Sequence, residues 1–449
     1  MGSGANALNG EGWIYAVCTD TNGNIFAAGD FRDSAYAFAP YYIAKWDHLA
    51  RHWQELGTGI DRLKANDGII TVCIDRQNNL YAAGYFTDSG SIVFPEGHQY
   101  VAKWDGLRWS KLGTGINALN AHGVINSICV DDSGNVYAAG NFRNSVGQCY
   151  VAKWNGTNWR ELNGLYGNGF IYSLCVDDSF NVYAAGNFSD MMGSVYVAKY
   201  SPITQTWSEL GMGVDSGTTK AFIGFKSIVV DSLHNIYAAV NFIHTPSGIT
   251  FGNVFKWNGL NWRQVGSLNA NSYISAVCLS DNKFLYASGE FTDTFGKRNV
   301  AQCDNRTNEW SELTGTSPLN ANSGVNAICV DRNFNVYAGG AFTDSISHSH
   351  NFCYVAEFGT PPLGIGKLSD LAGISVSPNP TKEAITIESD YLADHEELTI
   401  TNAVGQSLLT QRVTSTRERI DIKSWPTGVY IYYISAAGSS VQTGKIVKY

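Results

Sequence analysis

One thirteen-residue frame occurs seven times along the chain and constrains the fold more than any other feature. It starts at Cys18, Cys73, Cys129, Cys175, Val229, Cys278 and Cys329. An aromatic residue follows eight positions on and a Phe thirteen positions on, from Phe26 and Phe31 in the first copy to Tyr337 and Phe342 in the last. No insertion breaks the frame, although the spacing between copies varies. Self-similarity at a period of about 50 residues predicts a propeller, a solenoid or an array. Residues common to all copies are explained by building the copy. Chemistry must be sought where the copies differ.

The third copy shows what one unit forms. Residues 125–130 are β-rich, Asp131 to Asn135 is turn chemistry, and 136–142 is a second run with small residues where another sheet must come close. After a variable loop, Tyr150 to Trp154 reads as a third strand, Asn155-Gly156 as a hairpin turn, and Trp159 to Leu162 as a fourth strand. Four such strands make one antiparallel sheet that is apolar on both faces, and closing seven of them in a ring covers those faces. The expectation is an all-β chain: a seven-bladed β-propeller over 1–360, a linker over 361–373 and a small β-sandwich over 374–449. The fourth-strand Trp recurs as Trp53, Trp109, Trp159, Trp207, Trp262 and Trp310, and none follows Phe358 at that spacing. Blade seven is therefore expected to close with an irregular strand, or with sequence lying upstream.

Composition agrees. Charged residues are 15%, aromatics 13%, and Gly is 47 of 449, as suits a β protein rich in tight turns. A net charge of −9 without basic runs argues against nucleic acid and anionic membrane as partners. No apolar run approaches the roughly 20 residues of a membrane span. Of nine Cys, six occupy one repeat position. Equivalent residues of stacked sheets lie about 10 Å apart, too far for a disulfide, so these thiols are expected to be reduced and buried. No close Cys pair suggests zinc.

Residues 374–449 alternate apolar and polar, as in Ala384-Ile-Thr-Ile-Glu388 and Val429-Tyr-Ile-Tyr-Tyr-Ile434. Their motifs are Ser377-Pro378-Asn379-Pro380-Thr381, Asn402 to Gly405, Trp425-Pro426-Thr427-Gly428-Val429-Tyr430, and Lys445 to Lys448. In this order and spacing they closely resemble the C-terminal sorting domain of the type IX secretion system of Bacteroidetes. The resemblance implies that the type IX machinery is a partner and that the protein is secreted or held on the outer face of the cell. Pro378, Asn379, Pro380, Gly405, Pro426, Gly428, Tyr430, Lys445 and Lys448 would carry the signal. Such proteins normally begin with a signal peptide, which residues 1–4 do not resemble; it is expected to have been removed or to lie upstream. The repeat itself resembles kelch-like secreted bacterial propellers, which implies a fold and not an activity.

Several constellations remain. Asp20 to Asn24, Asp131 to Asn135 and Asp177 to Asn181 resemble part of a calcium loop, but two side chains are too few for a full one. They read first as turns, with weak calcium binding as the alternative; no other cofactor and no metal site is expected. The Phe-Thr-Asp-Ser groups at Phe86, Phe291 and Phe342 lack a His at fixed distance and make no triad. His348 and His350 form a close pair without a third ligand. Asp33-Ser-Ala35, Asp231-Ser-Leu233 and Asp344-Ser-Ile346 are similar to the Bacteroidetes O-glycosylation acceptor pattern. The position before each frame-ending Phe varies between copies: Asp30, Tyr85, Asn141, Asn187, Asn241, Glu290 and Ala341. All but Ala341 are candidate ligand-binding residues ringing the axis near the face that carries the long loops. Every strong motif is structural. The preferred function is thus a non-catalytic surface or secreted binding and adhesion propeller whose ligand is a glycan or a protein. The alternatives are an extracellular polysaccharide hydrolase or lyase, and a self-assembling structural protein.

Overall fold

The structure is a computed structural model. It describes the chain except residues 1–7, 9–11, 33–39, 48–50, 90–96, 191–192, 212–219, 245–246, 269, 281–283, 293–299, 314–318, 320, 344–352, 359–374, 378–379, 389–395, 403–405, 414–416 and 437–438. It divides into two compact units, Met1–Gly359 and Thr360–Tyr449. The expected linker at 361–373 lies outside the described residues.

In the first unit the described residues form seven antiparallel sheets, six of four strands and one of three, each in simple sequence order. The third sheet comprises Ile125–Val130, Val136–Gly140, Ala152–Trp154 and Trp159–Glu161. These are the four runs expected from the repeat, and the other copies follow them. The last sheet has Val325–Val330, Val336–Gly340 and Ala356–Phe358, with no fourth strand among the described residues. Successive sheets share their cores. Tyr81 and Ala83 of the second pack with Ile125 and Phe142 of the third, while Ala327 and Tyr337 of the seventh pack with Ile14, Phe31 and the buried Leu8 at the start of the chain. Asn326 Nδ2 also donates to Ile14 O at 3.1 Å. The ring is therefore closed, the seventh sheet lying against the first.

Six inner strands carry a register shift at their second residue, at Tyr15, Ile70, Asn126, Tyr172, Ser275 and Asn326, and the longer fifth carries one at the equivalent Lys226. A bulge bends the strand and re-aims its side chain. These residues reach sideways: Asn126 Nδ2 donates to Ile171 O at 2.9 Å, and Lys226 Nζ lies 5.2 Å from the Tyr172 ring. The bulge also explains the Gly that ends the second strand. A Cβ on Gly140 would meet Val124 O at 1.9 Å and one on Gly29 would meet Trp13 O at 1.9 Å.

Two further devices join sheet to sheet. The fourth-strand Trp donates its indole N–H to a carbonyl of the preceding sheet: Trp109 to Leu56, Trp159 to Leu112, Trp207 to Leu162, Trp262 to Leu210 and Trp310 to Val265, at 2.6–2.9 Å. Inner-strand hydroxyls of Thr71, Ser127, Ser173 and Ser227 accept from the N–H of Ile128, Leu174, Ile228 and Val277 on the next sheet.

All nine Cys are free, as expected. The six at the repeat position are half-buried rather than fully buried, and Cys149, Cys303 and Cys353 are the buried ones. The physical reason is their place on the innermost strand, where the backbone borders the axis while the thiol packs on the neighbouring sheet, as Cys129 does beside Leu174 and Tyr200. Burial pushes these thiols up, well above the ordinary value for Cys73, Cys175 and Cys329, which makes them poor nucleophiles.

The second unit is a sandwich of two sheets. One orders Ser375–Ser377, Ala384–Glu388 and Arg417–Asp421; the other orders Ser407–Val413, Glu396–Asn402, Gly428–Ala436 and Ser439–Lys448. Its own core holds Ile385, Leu398, Ile400, Ile420, Tyr430 and Ile446. Among the described residues no helix is long and apolar enough to cross a membrane.

Candidate functional site

Strand direction divides the ends of each sheet. The long connections, second strand to third and fourth strand to the next sheet, emerge on one side. The tight turns emerge on the other. On the loop side of six copies, the residue before the frame-ending Phe donates its N–H to the carbonyl just ahead of the inner strand: Asp30 to Trp13, Tyr85 to Gly68, Asn141 to Val124, Asn187 to Phe170, Glu290 to Tyr273 and Ala341 to Gly324, at 2.9–3.1 Å. Two residues of each of these copies are thus locked side by side at the mouth of the ring.

The partner position matters more than the expected one. Trp13, Phe170 and Tyr273 are 54%, 38% and 36% exposed, and Tyr85 is 45% exposed. Large apolar rings left open at one rim are the kind of surface that marks a binding site. They stand on sheets one, four, six and two. Trp13 lies edge-on to Tyr15 with centroids 6.3 Å apart. A Cβ placed on Gly68 would touch Asp30, Tyr85 and Tyr15 at 3.6–4.0 Å, so these three side chains surround one bare glycine between sheets one and two. Tyr15 donates its hydroxyl to Asp30 Oδ2 at 3.1 Å. Burial, and then the Asp30 charge, push the Tyr15 phenol up. The aromatic position lies at a fixed offset, five residues before the start of the repeat frame, but only three copies carry an aromatic there and the others carry Gly or Val124, so no pattern marks it.

The six expected ligand residues fare unequally. Tyr85 and Glu290 are exposed. Asp30 is half-buried and its carboxylate also accepts the Trp13 N–H. Asn187 Oδ1 accepts from Phe170 N at 2.7 Å. Asn141 Oδ1 is buried with no partner among the described residues. Asn241 is buried, and both its amide atoms are bonded to the Ile274 backbone at 2.9 Å. Its expected role as a ligand group gives way to that of a clasp between sheets five and six, because the longer fifth sheet carries it inward.

The turn side explains the acidic turns. The Asp131 carboxylate accepts from Ser133 N, Asn135 N, Asn135 Nδ2 and the buried Tyr137 hydroxyl at 2.7–3.0 Å. Asp75, Asp177, Asp231 and Asp331 repeat the pattern. A calcium ion would have to displace these donors, so the weak calcium alternative is at odds with the geometry. Asp177, Asp178 and His234 are the one group among the described residues that could hold a metal. His234 Nδ1 lies 3.1 Å from Asp177 and Nε2 3.5 Å from Asp178, so the imidazole joins two sheets through both nitrogens.

The Phe-Thr-Asp-Ser groups are scaffold as well. Thr87, Ser189, Thr292 and Thr343 each pair reciprocally with an Asn 21 residues earlier: Asn66, Asn168, Asn271 and Asn322. Asp88 is bound to Lys111 at 2.5 Å. His348, His350, Asp33 and Asp344 lie outside the described residues, and Asp231 is consumed by its own turn.

In the second unit the separated motifs converge. Thr381 is buried; it donates its N–H to Val447 O at 2.8 Å and accepts from Tyr449 N at 3.1 Å. The buried Lys448 donates to Trp425 O at 2.7 Å and Lys423 O at 3.3 Å. Trp425 packs on Tyr430 with ring centroids 5.0 Å apart, and the Tyr430 hydroxyl donates to Pro426 O. Gly428 opens the long strand, Lys445 is half-buried within its neighbour, and Pro380 and Pro426 are exposed. Pro378, Asn379 and Gly405 lie outside the described residues.

Residues 375–449 match the family model of the secretion system C-terminal sorting domain. No curated protein matches the chain. Among solved structures, the chain is similar to an extracellular domain assigned to a hybrid two component system of B. thetaiotaomicron, at 10% identity and TM-score 0.52, covering 99% of this chain and 56% of that one. The chain thus spans about half the length of that domain. It is also similar to the GH74 enzyme of Niastella koreensis, at 16% identity and TM-score 0.54, covering 99% and 74%. A fungal alcohol oxidase of the AA5 family, solved with copper, gives 12% identity and TM-score 0.54, covering 98% of each chain. At such identities the likeness is one of fold. The type IX sorting tail means that the protein is secreted or placed at the cell surface.

Proposed function

We propose that this exported protein is a binding propeller that takes a neutral glycan at the loop-side mouth of its ring. The observation that carries the reading is the set of exposed aromatics, Trp13, Tyr85, Phe170 and Tyr273, beside the carboxylates of Asp30 and Glu290. A sugar presents a C–H face that packs on a ring and hydroxyls that need acceptors. Aromatics on four sheets offer several shallow contacts, so a polymer gains avidity that a monosaccharide lacks. The sorting tail supplies the address: recognised by the type IX machinery, it brings the ring to where extracellular polymers are met.

A glycan array probed with the intact chain, followed by product analysis on every bound glycan, tests the proposal. Binding of neutral oligosaccharides without cleavage is the expected result. Chain shortening or unsaturated products would replace it with the hydrolase or lyase reading, and concentration-dependent association without glycan binding would favour the self-assembling one.

A further inference from the structure

A cavity of about 250 Å³ opens between sheets two and three, at the outer strands on the loop side; Ala118, Asn144, Ser145, Tyr150, Trp159 and Glu161 are among its lining residues. Ligand pockets run from roughly 300 to 1,000 Å³, so this one suits a single sugar-sized ring.

Its walls are fixed in advance. The Trp159 indole is held by its bond to Leu112 O and packs on Trp154 with centroids 5.8 Å apart. Tyr150 stands edge-on to Phe142 at 4.8 Å, and its hydroxyl makes no hydrogen bond among the described residues. Glu161 accepts from Asn144 Nδ2 at 2.8 Å and makes no ion pair among the described residues. Burial, and then the Glu161 charge, push the Tyr150 phenol up to about 12, as a carboxylate close to the tyrosine does.

Strand alternation decides which charge the cavity meets. Trp159 and Glu161 pair across the sheet with Trp154 and Ala152, on the face whose core is shared with sheet two. Arg160, also at the edge of the cavity, pairs with Lys153. Lys153 Nζ lies 5.3 Å from the Tyr137 ring, in the core shared with sheet four. The guanidinium therefore projects from the opposite face, and Glu161 is the charge directed at the cavity.

The second sheet shows what such a cleft takes. It has Asp88 where the third has Asn144, Tyr100 for Tyr150 and Lys111 for Glu161. Lys111 Nζ lies 5.3 Å from the centre of the Tyr100 ring and 2.5 Å from the Asp88 carboxylate. There the chain's own ammonium rests on a tyrosine and against an acid. In the third sheet the tyrosine stays and the acid moves to Glu161, but the lysine is gone. Ala118 also stands where the preceding cleft has Arg62.

We infer that the cavity between sheets two and three binds an amino sugar. Its ammonium takes the place that Lys111 fills in the second sheet, on Tyr150 and against Glu161. Trp159 packs on its C–H face. Ser145 and the Tyr150 hydroxyl meet its hydroxyls. The site is built from outer strands and does not depend on the mouth.

Calorimetric titration of the full chain with glucosamine, N-acetylglucosamine and α-N-acetyl-lysine, at about pH 6 where an amino group is charged, tests the inference. Glucosamine is expected to bind at least about tenfold more tightly than either of the others. Glu161→Gln should weaken glucosamine about tenfold or more. Asn144→Asp combined with Glu161→Lys copies the ion pair of the second sheet into the cavity; it should abolish glucosamine binding without lowering the melting temperature. Trp13→Ala, at the mouth, should bind glucosamine as the parent does. Absence of glucosamine binding, equal binding of N-acetylglucosamine, or unchanged affinity in Glu161→Gln or in the double variant would overturn it. Equal or tighter binding of α-N-acetyl-lysine would overturn it in favour of a peptide, and a loss in Trp13→Ala would overturn it in favour of the mouth.

Discussion

An aspartate that opens a tight turn is ordinarily half solvated; in this chain it is a buried node. Asp131 gathers two backbone N–H groups, an Asn side chain and a buried Tyr hydroxyl. Removing the carboxylate leaves Tyr137 without its acceptor. Asp131→Ala should therefore cost about 2–4 kcal/mol, read as a lower denaturant midpoint; a loss below about 0.5 kcal/mol would show that water takes over the donors. The same node sets a response to acid at Asp177. Burial acts to raise its carboxyl, but hydrogen bonds from Asn181, Tyr183 and His234 outweigh it and hold the group below the usual carboxylate range. A depressed folded value means that the contribution is full above the unfolded value, about 3.9, and is lost as pH falls through the folded one. Replacing Asp177 by Asn should flatten the fall in stability between about pH 5 and pH 2. A fall as steep as the parent's would remove Asp177 as a source of acid sensitivity. The Asp–Asn turn was legible in the sequence as a turn. The Tyr hydroxyl that completes it was not, because the frame shows only that an aromatic is needed six residues on.

Strand order and the four runs of each sheet could be read from the repeat, since turn residues and β-rich runs recur at fixed offsets. What joins one sheet to the next could not. The fourth-strand Trp was visible as a recurrence, but its acceptor, the carbonyl three residues after the preceding copy's Trp, is a backbone group that any residue carries and leaves no mark in the sequence. Thr71, Ser127, Ser173 and Ser227 share their position with Ala16, Ala276 and Ala327, so no pattern marks a hydroxyl there as a bond to the next sheet. Trp159→Phe tests the Trp clasp. It keeps most of the ring volume and removes the 2.9 Å bond to Leu112 O, so it should cost about 1–2 kcal/mol without changing the denaturant slope. If Trp159→Phe unfolds at the parental midpoint, the Trp acts by packing alone.

At the scale of the molecule, closure depends on Ile14 and Leu8 meeting Ala327 and Tyr337 from the far end of the ring. Sequence could anticipate a ring but not this seam, because the last copy lacks its Trp. The sandwich has a separate core, so deleting 374–449 should leave the propeller's melting transition in place while blocking export in a type IX-competent host. Normal secretion of the truncated chain, or its aggregation, would count against that division of labour. The candidate mouth was legible in part. Variable positions at the ends of the second strands led to Tyr85, Asp30 and Glu290. They led also to Asn241, whose burial depends on the extra length of the fifth sheet, and they missed Trp13, Phe170 and Tyr273, which lie five residues ahead of the frame. The most direct test of the account takes a neutral oligosaccharide that binds on the array and titrates it into Trp13→Ala, Tyr85→Ala and Tyr273→Ala, with Phe180→Ala on the tight-turn side as the comparison. About tenfold weaker binding is expected in each mouth variant and parental affinity in Phe180→Ala; parental affinity in all three mouth variants, or a loss confined to Phe180→Ala, would contradict binding at the mouth.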